Sequence, residues 1–247
     1  MKNKFKLQDS QYSFPYHYIV SVEKDKINLT KNLSWGLEYL RNIDFIIENI
    51  NVTEQKSVLE VGCGDGYVIG QIKNKFNNYT FTGVDLSEKS ISLAKALNTN
   101  DIDFFNSDVS EIDGVFDIVY MNQVMEHVPN EQVNNVLLNT WDKVGPGGKL
   151  IITVPGKGKK LIKKHYRHYD TKMLEEIGVI LKTDNYKVRS IFKPSLLYKL
   201  IIKLFFNRLW QINIPIINNL LFKSMKSGSM EKSYDVAIII NKIKNEK

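Results

Sequence analysis

Ser57-Val58-Leu59-Glu60-Val61-Gly62-Cys63-Gly64-Asp65-Gly66 is the stretch whose reading decides the fold. An apolar run that ends in an acid and alternating glycines is a strand entering a tight turn toward a helix. Glycines there permit positive φ and let backbone N–H groups approach a ligand that any Cβ would push away. A nucleoside-bearing ligand seated on that turn is the first expectation.

Outward from this run, strands and helices alternate. The spacing predicts strands at 57–62, 79–84, 102–105, 116–121 and 149–154, with helices near 66–76, 87–97 and 130–142. After Asp170 come a helix over 171–182, a strand over 186–192 and a last strand over 234–242. Such alternation implies a doubly wound, Rossmann-like α/β fold with seven strands and helices on both sheet faces. Ahead of it, Leu37, Leu40, Ile43, Ile46, Ile47 and Ile50 recur at helical spacing, which makes residues 1–50 an N-terminal helical cap. The core is expected over 51–193, a helical insertion before the last strand over 194–232, and the terminal strand within 233–247. That insertion is longer than a hairpin needs. Its Lys199, Lys203, Asn207 and Gln211 fall at i+4 intervals, a narrow polar stripe on an otherwise apolar helix. A substrate lid or homodimer face is the first reading of it, and peripheral membrane contact through 196–222 the second.

With 247 residues, 43% of them hydrophobic and 11% aromatic, the chain can bury a substantial core. Its +7 charge comes from 34 Lys and Arg against 27 Asp and Glu. The excess suits anionic partners, but a solvated lysine-rich surface accounts for it equally well, so charge chooses no partner. A single cysteine, Cys63, excludes an internal disulfide framework and a cysteine-cluster metal site, and fits a reducing, cytoplasmic setting. No apolar segment follows the basic start, so no secretory signal is expected. Leu196 to Phe222 is interrupted by Lys199, Lys203, Arg208 and Pro215, which makes it a poor membrane span.

Several polar residues sit where an open α/β sheet binds ligands. Asp85 ends the second strand, nineteen residues after Gly66, and is placed to accept from both ribose hydroxyls; a helix N-cap is the competing role, which Ser87 fills better. Asp108 follows the third strand and suits an adenine amino group or a surface turn. Asn122 and Gln123 end the fourth strand, beside the expected reactive end of the ligand. Val124-Met125-Glu126-His127 and Gly145-Pro146-Gly147-Gly148 come next. The segment Lys164-His165-Tyr166-Arg167-His168-Tyr169-Asp170 lies on the same sheet edge and is too polar for core. Arg167 and His168 are expected to touch substrate, unless the segment is only a helix-capping turn. Tyr12 to Ile19, with Tyr16 and His17, is aromatic enough to fold over the ligand or to pack on the domain.

Taken in order, the Glu60 glycine turn, Asp85, Asp108, Glu126-His127 and the Gly-Pro-Gly-Gly turn resemble the class I S-adenosylmethionine-dependent methyltransferases over about 57–192, with strand 234–242 completing the pattern. The resemblance implies S-adenosylmethionine held by Glu60, Gly62, Cys63, Gly64, Asp85, Leu86, Asp108, Val109, Asn122 and Gln123. It implies methyl transfer to a small polar acceptor, with O-methylation of a sugar, nucleotide sugar or related glycan precursor as the leading expectation. His127 and His165 are the candidates for the base that removes a hydroxyl proton, although a histidine at 127 is also a common structural helix-start residue. A nucleic-acid methyltransferase is the alternative enzyme, but no RNA-binding module or aromatic-proline motif follows the fourth strand. A non-catalytic, membrane-associated cofactor binder is the other alternative. Ubiquinone-pathway O-methyltransferases resemble the Glu126-His127 segment and use nearby acids for a divalent metal; Gln123 replaces such an acid, so no required metal is expected.

Overall fold

The computed structural model describes residues 6, 20–23, 26–29, 33–50, 56–98, 101–206, 212 and 214–244. A hairpin of β1 (Val20–Glu23) and β2 (Lys26–Leu29) precedes the long helix α1 (Leu33–Asn49). Then follow β3 (Ser57–Val61), α2 (Tyr67–Lys73), β4 (Thr80–Asp85), α3 (Glu88–Leu97), β5 (Asp103–Asn106) and β6 (Phe116–Asn122). The second half runs α4 (Val133–Asp142), β7 (Val144–Pro155), α5 (Thr171–Ile180), β8 (Tyr186–Phe192), α6 (Leu196–Phe205), α7 (Pro215–Ser224) and β9 (Asp235–Asn241).

Seven strands form one sheet, as the alternating pattern predicts, and the structure sets their order as β5-β4-β3-β6-β7-β9-β8. All pairs are parallel except those of β9, which runs antiparallel to β7 and β8. From β3 the chain steps outward to β4 and β5, then returns to place β6 on the other side of β3. That reversal opens a crevice beyond the carboxyl ends of β3 and β6, where doubly wound sheets take their ligands.

The strands alternate between two cores. Val58, Ile118, Tyr120 and Ile151 face the layer of α1, α2 and α3, while Leu59, Val119, Met121 and Ile152 face α4 and α5. A fully buried aliphatic side chain contributes roughly 1.5–3 kcal/mol, so this two-sided burial is what commits the run 57–61 to a central strand. Alternation also puts Glu60 and its cross-strand neighbour Tyr120 on the face toward α1 and α2.

Three local expectations change. Helix 130–142 opens as a separate 3-10 turn at Asn130–Gln132 before α4. The last parallel strand starts at Val144, so the glycine-rich turn is absorbed into β7. The hairpin β1-β2 was not expected at all: the backbone N–H of Ile27 donates to Asn219 Oδ1 at 3.2 Å and its carbonyl accepts from Asn218 Nδ2 at 3.0 Å, so two α7 amides stand where a further strand would pair. No local pattern reveals a partner some 190 residues away in sequence.

Gly66 has φ of +75°, and a Cβ there would stand 2.9 Å from Phe104 Cζ and 3.1 Å from Ala94 Cβ. Gly66→Ala is therefore expected to cost about 1–3 kcal/mol, left-handed strain plus crowding. Gly114→Ala, with φ of +81° and open space around it, is expected to cost only the strain, about 1 kcal/mol. Urea denaturation of both variants checks the difference.

Candidate active site

The turn after β3 is held from below by β4. Gly62 and Cys63 donate their N–H groups to Val84 O at 2.8 and 3.0 Å. Asp85 then locks the turn sideways: its Oδ2 accepts from Gly64 N at 2.9 Å and its Oδ1 from Ser87 N at 2.8 Å. Gly62, Gly64 and Gly66 all have positive φ, and a Cβ on Gly62 would meet Val124 Cγ2 at 2.6 Å. Ser87, not Asp85, caps α3, accepting from Ser90 N at 3.2 Å. Asp85 thereby serves the turn, with both carboxylate oxygens accepting backbone N–H groups.

Across the crevice, β6 ends in Asn122 and Gln123. Gln123 has φ of +58°, a left-handed conformation that a non-glycine residue adopts only when surroundings impose it. Its N–H donates to Thr153 O at 2.9 Å, and Thr153 Oγ1 donates to Asn122 Oδ1 at 2.6 Å. The amide nitrogens Asn122 Nδ2 and Gln123 Nε2 are buried without a protein partner, as is Glu60 Oε2. Unsatisfied buried donors and an acid converging on one crevice are costly unless a ligand completes them. Burial pushes the Glu60 carboxyl well above its ordinary range, against the lowering effect of the Tyr120 hydroxyl beside it.

These groups open into a cavity of about 240 Å³ whose far wall comes from α1 and from the chain after β7. Helix α1 supplies Glu38, Tyr39 and Asn42, and the 156–168 segment supplies Lys159, Lys164, His165 and His168. Lys159 Nζ lies 2.9 Å from Glu38 Oε2 and 2.9 Å from Asp235 Oδ1, joining α1 to the start of β9. Burial raises Glu38 to about 7, against the lowering pull of Lys159, while its two acidic partners hold Lys159 above its ordinary value. Tyr166 N donates to Glu126 O at 2.8 Å, which pins this segment to the 3-10 turn Met125–His127.

The histidines form an ordered chain. A backbone carbonyl can only accept, so the 3.2 Å contact between His168 Nδ1 and Lys159 O puts the proton on Nδ1. His168 Nε2 is then an acceptor, and His165 Nδ1–H donates to it at 2.8 Å. His165 Nε2 is left as the basic nitrogen. His127 is set in the same way by its Nδ1 contact with Lys164 O at 3.3 Å, and its ring meets that of His165 edge-on at 4.7 Å. Burial, aided by the charges of its basic neighbours, lowers His165 to about 3; burial also lowers His168. Glu126 Oε1 is 3.8 Å from His127 Nε2, its Oε2 is buried without a partner, and burial raises the carboxyl to about 8. Among the described residues, Glu126, His127 and His165 bring one ligand atom each within 4.8 Å of one another, a donor set able to take a cation. The ammonium groups of Lys159 and Lys164 beside them oppose one.

Of the residues singled out in the sequence, Glu60, Gly62, Cys63, Asn122, Gln123, His127, His165 and His168 line this cavity. Gly64 and Asp85 form the adjoining turn, Leu86 is exposed beside it, and Val109 is buried in the core on the α4 and α5 side of the sheet. Asp108 accepts from Ser110 N at 2.9 Å and Ser110 Oγ at 2.7 Å, capping a 3-10 turn with that carboxylate oxygen. Arg167 does not line the cavity as expected: its guanidinium donates to Met125 O and Val128 O, each at 2.7 Å, and so braces the 125–130 turn. Tyr16 and His17 lie outside the described residues. The sequence reading missed Glu38, Asn42 and Lys159; the pair of polar residues at i and i+4 beside the apolar stripe of α1 was the available signal.

A methyltransferase-domain family matches residues 58–148. Trans-aconitate 2-methyltransferase of Deinococcus radiodurans is 31% identical over 98 residues, 40% of this chain and 37% of that protein. Ubiquinone biosynthesis O-methyltransferase of Dechloromonas aromatica is 34% identical over 125 residues, 48% of this chain and 52% of that protein. The chain thus spans about half or less of the length of these curated relatives. Among solved structures, the plantazolicin methyltransferase BpumL in complex with SAH aligns over 97% of this chain and 95% of its own, with a TM-score of 0.58 at 17% identity. A SAM-dependent methyltransferase from Archaeoglobus fulgidus covers 82% of this chain and 93% of its own, at TM-score 0.57 and 17% identity. At such identities the likeness is one of fold.

The raised Glu126 carboxyl carries a pH signature. Its folded value of about 8 exceeds the ordinary 4.5, so the native state holds a proton that the unfolded state has lost. Its stabilising contribution is complete below about 4.5 and is lost as pH rises through about 8. His165 acts oppositely and on the acid side, losing stability as pH falls from 6.5 toward about 3. Urea denaturation at pH 7 and pH 9 is expected to show Glu126→Gln losing less stability than wild type, the remaining loss coming from the raised Glu38 and Glu60.

Proposed function

We propose that this chain, whose core is that of a class I S-adenosylmethionine-dependent methyltransferase, methylates a hydroxyl of a small polar acceptor, with sugars, nucleotide sugars and related glycan precursors as first choice. The residues at the crevice fit the methyl donor: a tight glycine turn at Gly62, an anchored Asp85, and three buried polar atoms, Glu60 Oε2, Asn122 Nδ2 and Gln123 Nε2, without a protein partner. When bound, S-adenosylmethionine supplies an electrophilic methyl on a sulfonium, whose thioether is a good leaving group. In this reading Asp85 accepts from the ribose hydroxyls, while Asn122, Gln123 and Glu60 orient the amino-acid end. Asp108, Val109 and Leu86 border the adenine.

The histidine chain is the observation that carries a hydroxyl acceptor. Holding the acceptor oxygen in line does most of the work. The remaining task is its proton, and His165 Nε2, kept unprotonated by the bond its Nδ1–H makes to His168, is the atom that accepts it. An acceptor that is already anionic would need no such base. A pKa near 3 makes His165 a weak base, so ionisation of Glu126 near pH 8 strengthens it by placing a carboxylate within reach of the new imidazolium. The polar cavity wall of Glu38, Asn42 and Lys159 supports a hydroxyl-rich acceptor over an apolar one.

Calorimetric titration with S-adenosylmethionine and SAH tests the donor: Asp85→Ala is expected to weaken binding at least tenfold, about 1.4 kcal/mol, and no binding to folded wild type would refute the reading. With an acceptor found by screening, His165→Gln is expected to lower kcat about 10²–10³-fold while SAH affinity stays within about threefold. An unchanged kcat would remove the base and favour an anionic acceptor. Wild-type kcat is expected to rise between pH 7 and 9 and to be flat in Glu126→Gln, since the carboxyl titrates near 8.

A further inference from the structure

The insertion before β9 concentrates charge. Together with Lys193 just before it, the insertion at 194–232 holds seven basic residues and one acid, Glu231, a net +6 of the chain's +7. Its helix α6 is capped by Ser195, which accepts from Tyr198 N at 3.0 Å. Tyr198 is buried, edge-on to Phe192 at 5.0 Å, and Ile201 and Ile202 pack toward the same core. The opposite face carries Leu196, 86% exposed, with Leu197, Leu200 and Leu204 each more than half exposed. Spacing of i, i+4 and i+8 aligns three of these leucines along one side of the helix. Beside Leu196 lies an open groove of about 700 Å³ bordered by Lys193, Lys199, Lys226 and Lys232. Lys199 Nζ stands 5.8 Å from the Tyr234 ring centroid and Lys159 Nζ 5.9 Å from it, so one aromatic ring separates this groove from the acceptor cavity.

From this juxtaposition we propose that α6 and the lysine-bordered groove form a docking surface for an anionic lipid bilayer, with the leucines entering the interface and the lysines meeting lipid phosphates. Exposed leucines have no part in capturing a soluble phosphate, whereas leucines ringed by lysines match both layers of a membrane interface. A second copy of the chain is disfavoured by charge. A twofold contact would set this +6 segment against itself. At ten residues α6 is about 15 Å long, too short to span, and no helix among the described residues is long and apolar enough to cross a membrane. The contact is therefore one of lying on the surface, and it brings the acceptor cavity close to membrane-borne acceptors.

The test is cosedimentation of the full chain with phosphatidylcholine vesicles and with vesicles carrying about 30% phosphatidylglycerol. Binding is expected only to the anionic vesicles, weakening steeply with salt. Leu197→Ser/Leu200→Ser and Lys193→Ser/Lys199→Ser are each expected to lower it about tenfold or more. SAH affinity and thermal midpoint should not change. Leu196→Ser alone, at the most exposed position, serves if a pair does not fold. No binding to anionic vesicles would overturn the proposal, as would full binding by the leucine pair, which means simple charge adsorption. Light scattering that finds a dimer abolished by the leucine pair would assign the face to a second copy instead. Partition is read without turnover, so failure here leaves the acceptor reading standing.

Discussion

Lys159 is the point on which the far wall of the cavity depends. Its ammonium sits between Glu38 on α1 and Asp235 at the start of β9, and its own carbonyl fixes the proton of His168. Three segments far apart in sequence meet at this one residue. A half-buried cation between two carboxyls is not a cheap source of stability, because desolvation offsets much of the attraction. What it supplies is definition: without the cation, two carboxyl groups would face each other in a poorly hydrated site. The packing of α1 against the sheet and the tautomer of the histidine chain are thus set together.

The crevice divides into two halves built by different means. On the side of the glycine turn, backbone geometry dominates: a turn hung from β4, a carboxylate that latches it, and Gln123 held in a left-handed conformation. On the far wall, side chains dominate, and most come from outside residues 58–148, the part matched by the methyltransferase-domain family. Glu38, Asn42, Lys159, His165 and His168 all lie beyond it. In the proposed reading the sheet fixes where the methyl stands and the added segments decide what is brought to it, which lets one fold serve many acceptors.

The proton inventory of the cavity follows from burial more than from charge pairing. Glu126 and Glu38 are pushed up toward neutrality and His165 is pushed down, each chiefly because water is excluded. A carboxyl that keeps its proton beside an imidazole that refuses one is a pair poised for proton movement. Had the same residues been solvated, the carboxyls would be ionised at neutral pH and the imidazoles would titrate near their ordinary value.

Period and punctuation alone marked the strands of a two-faced sheet; their order and the antiparallel course of β9 came from the tertiary fold. Two-sided apolar runs such as 57–61, 116–122 and 235–241 can be satisfied only between two layers, and the glycine turn marks where the ligand crevice opens. Asp85 and the Asn122-Gln123 pair were legible because they end strands, and strand ends converge in this topology. Tertiary structure alone decided which polar residues of a loop face the cavity. Arg167 and His168 are adjacent in a segment of uniform polarity, yet one braces a turn and the other joins the histidine chain. A loop has no period, so no local rule says which way its side chains turn. The same holds for the β1-β2 hairpin and for Lys159, whose partners lie in elements brought together only when the sheet closes.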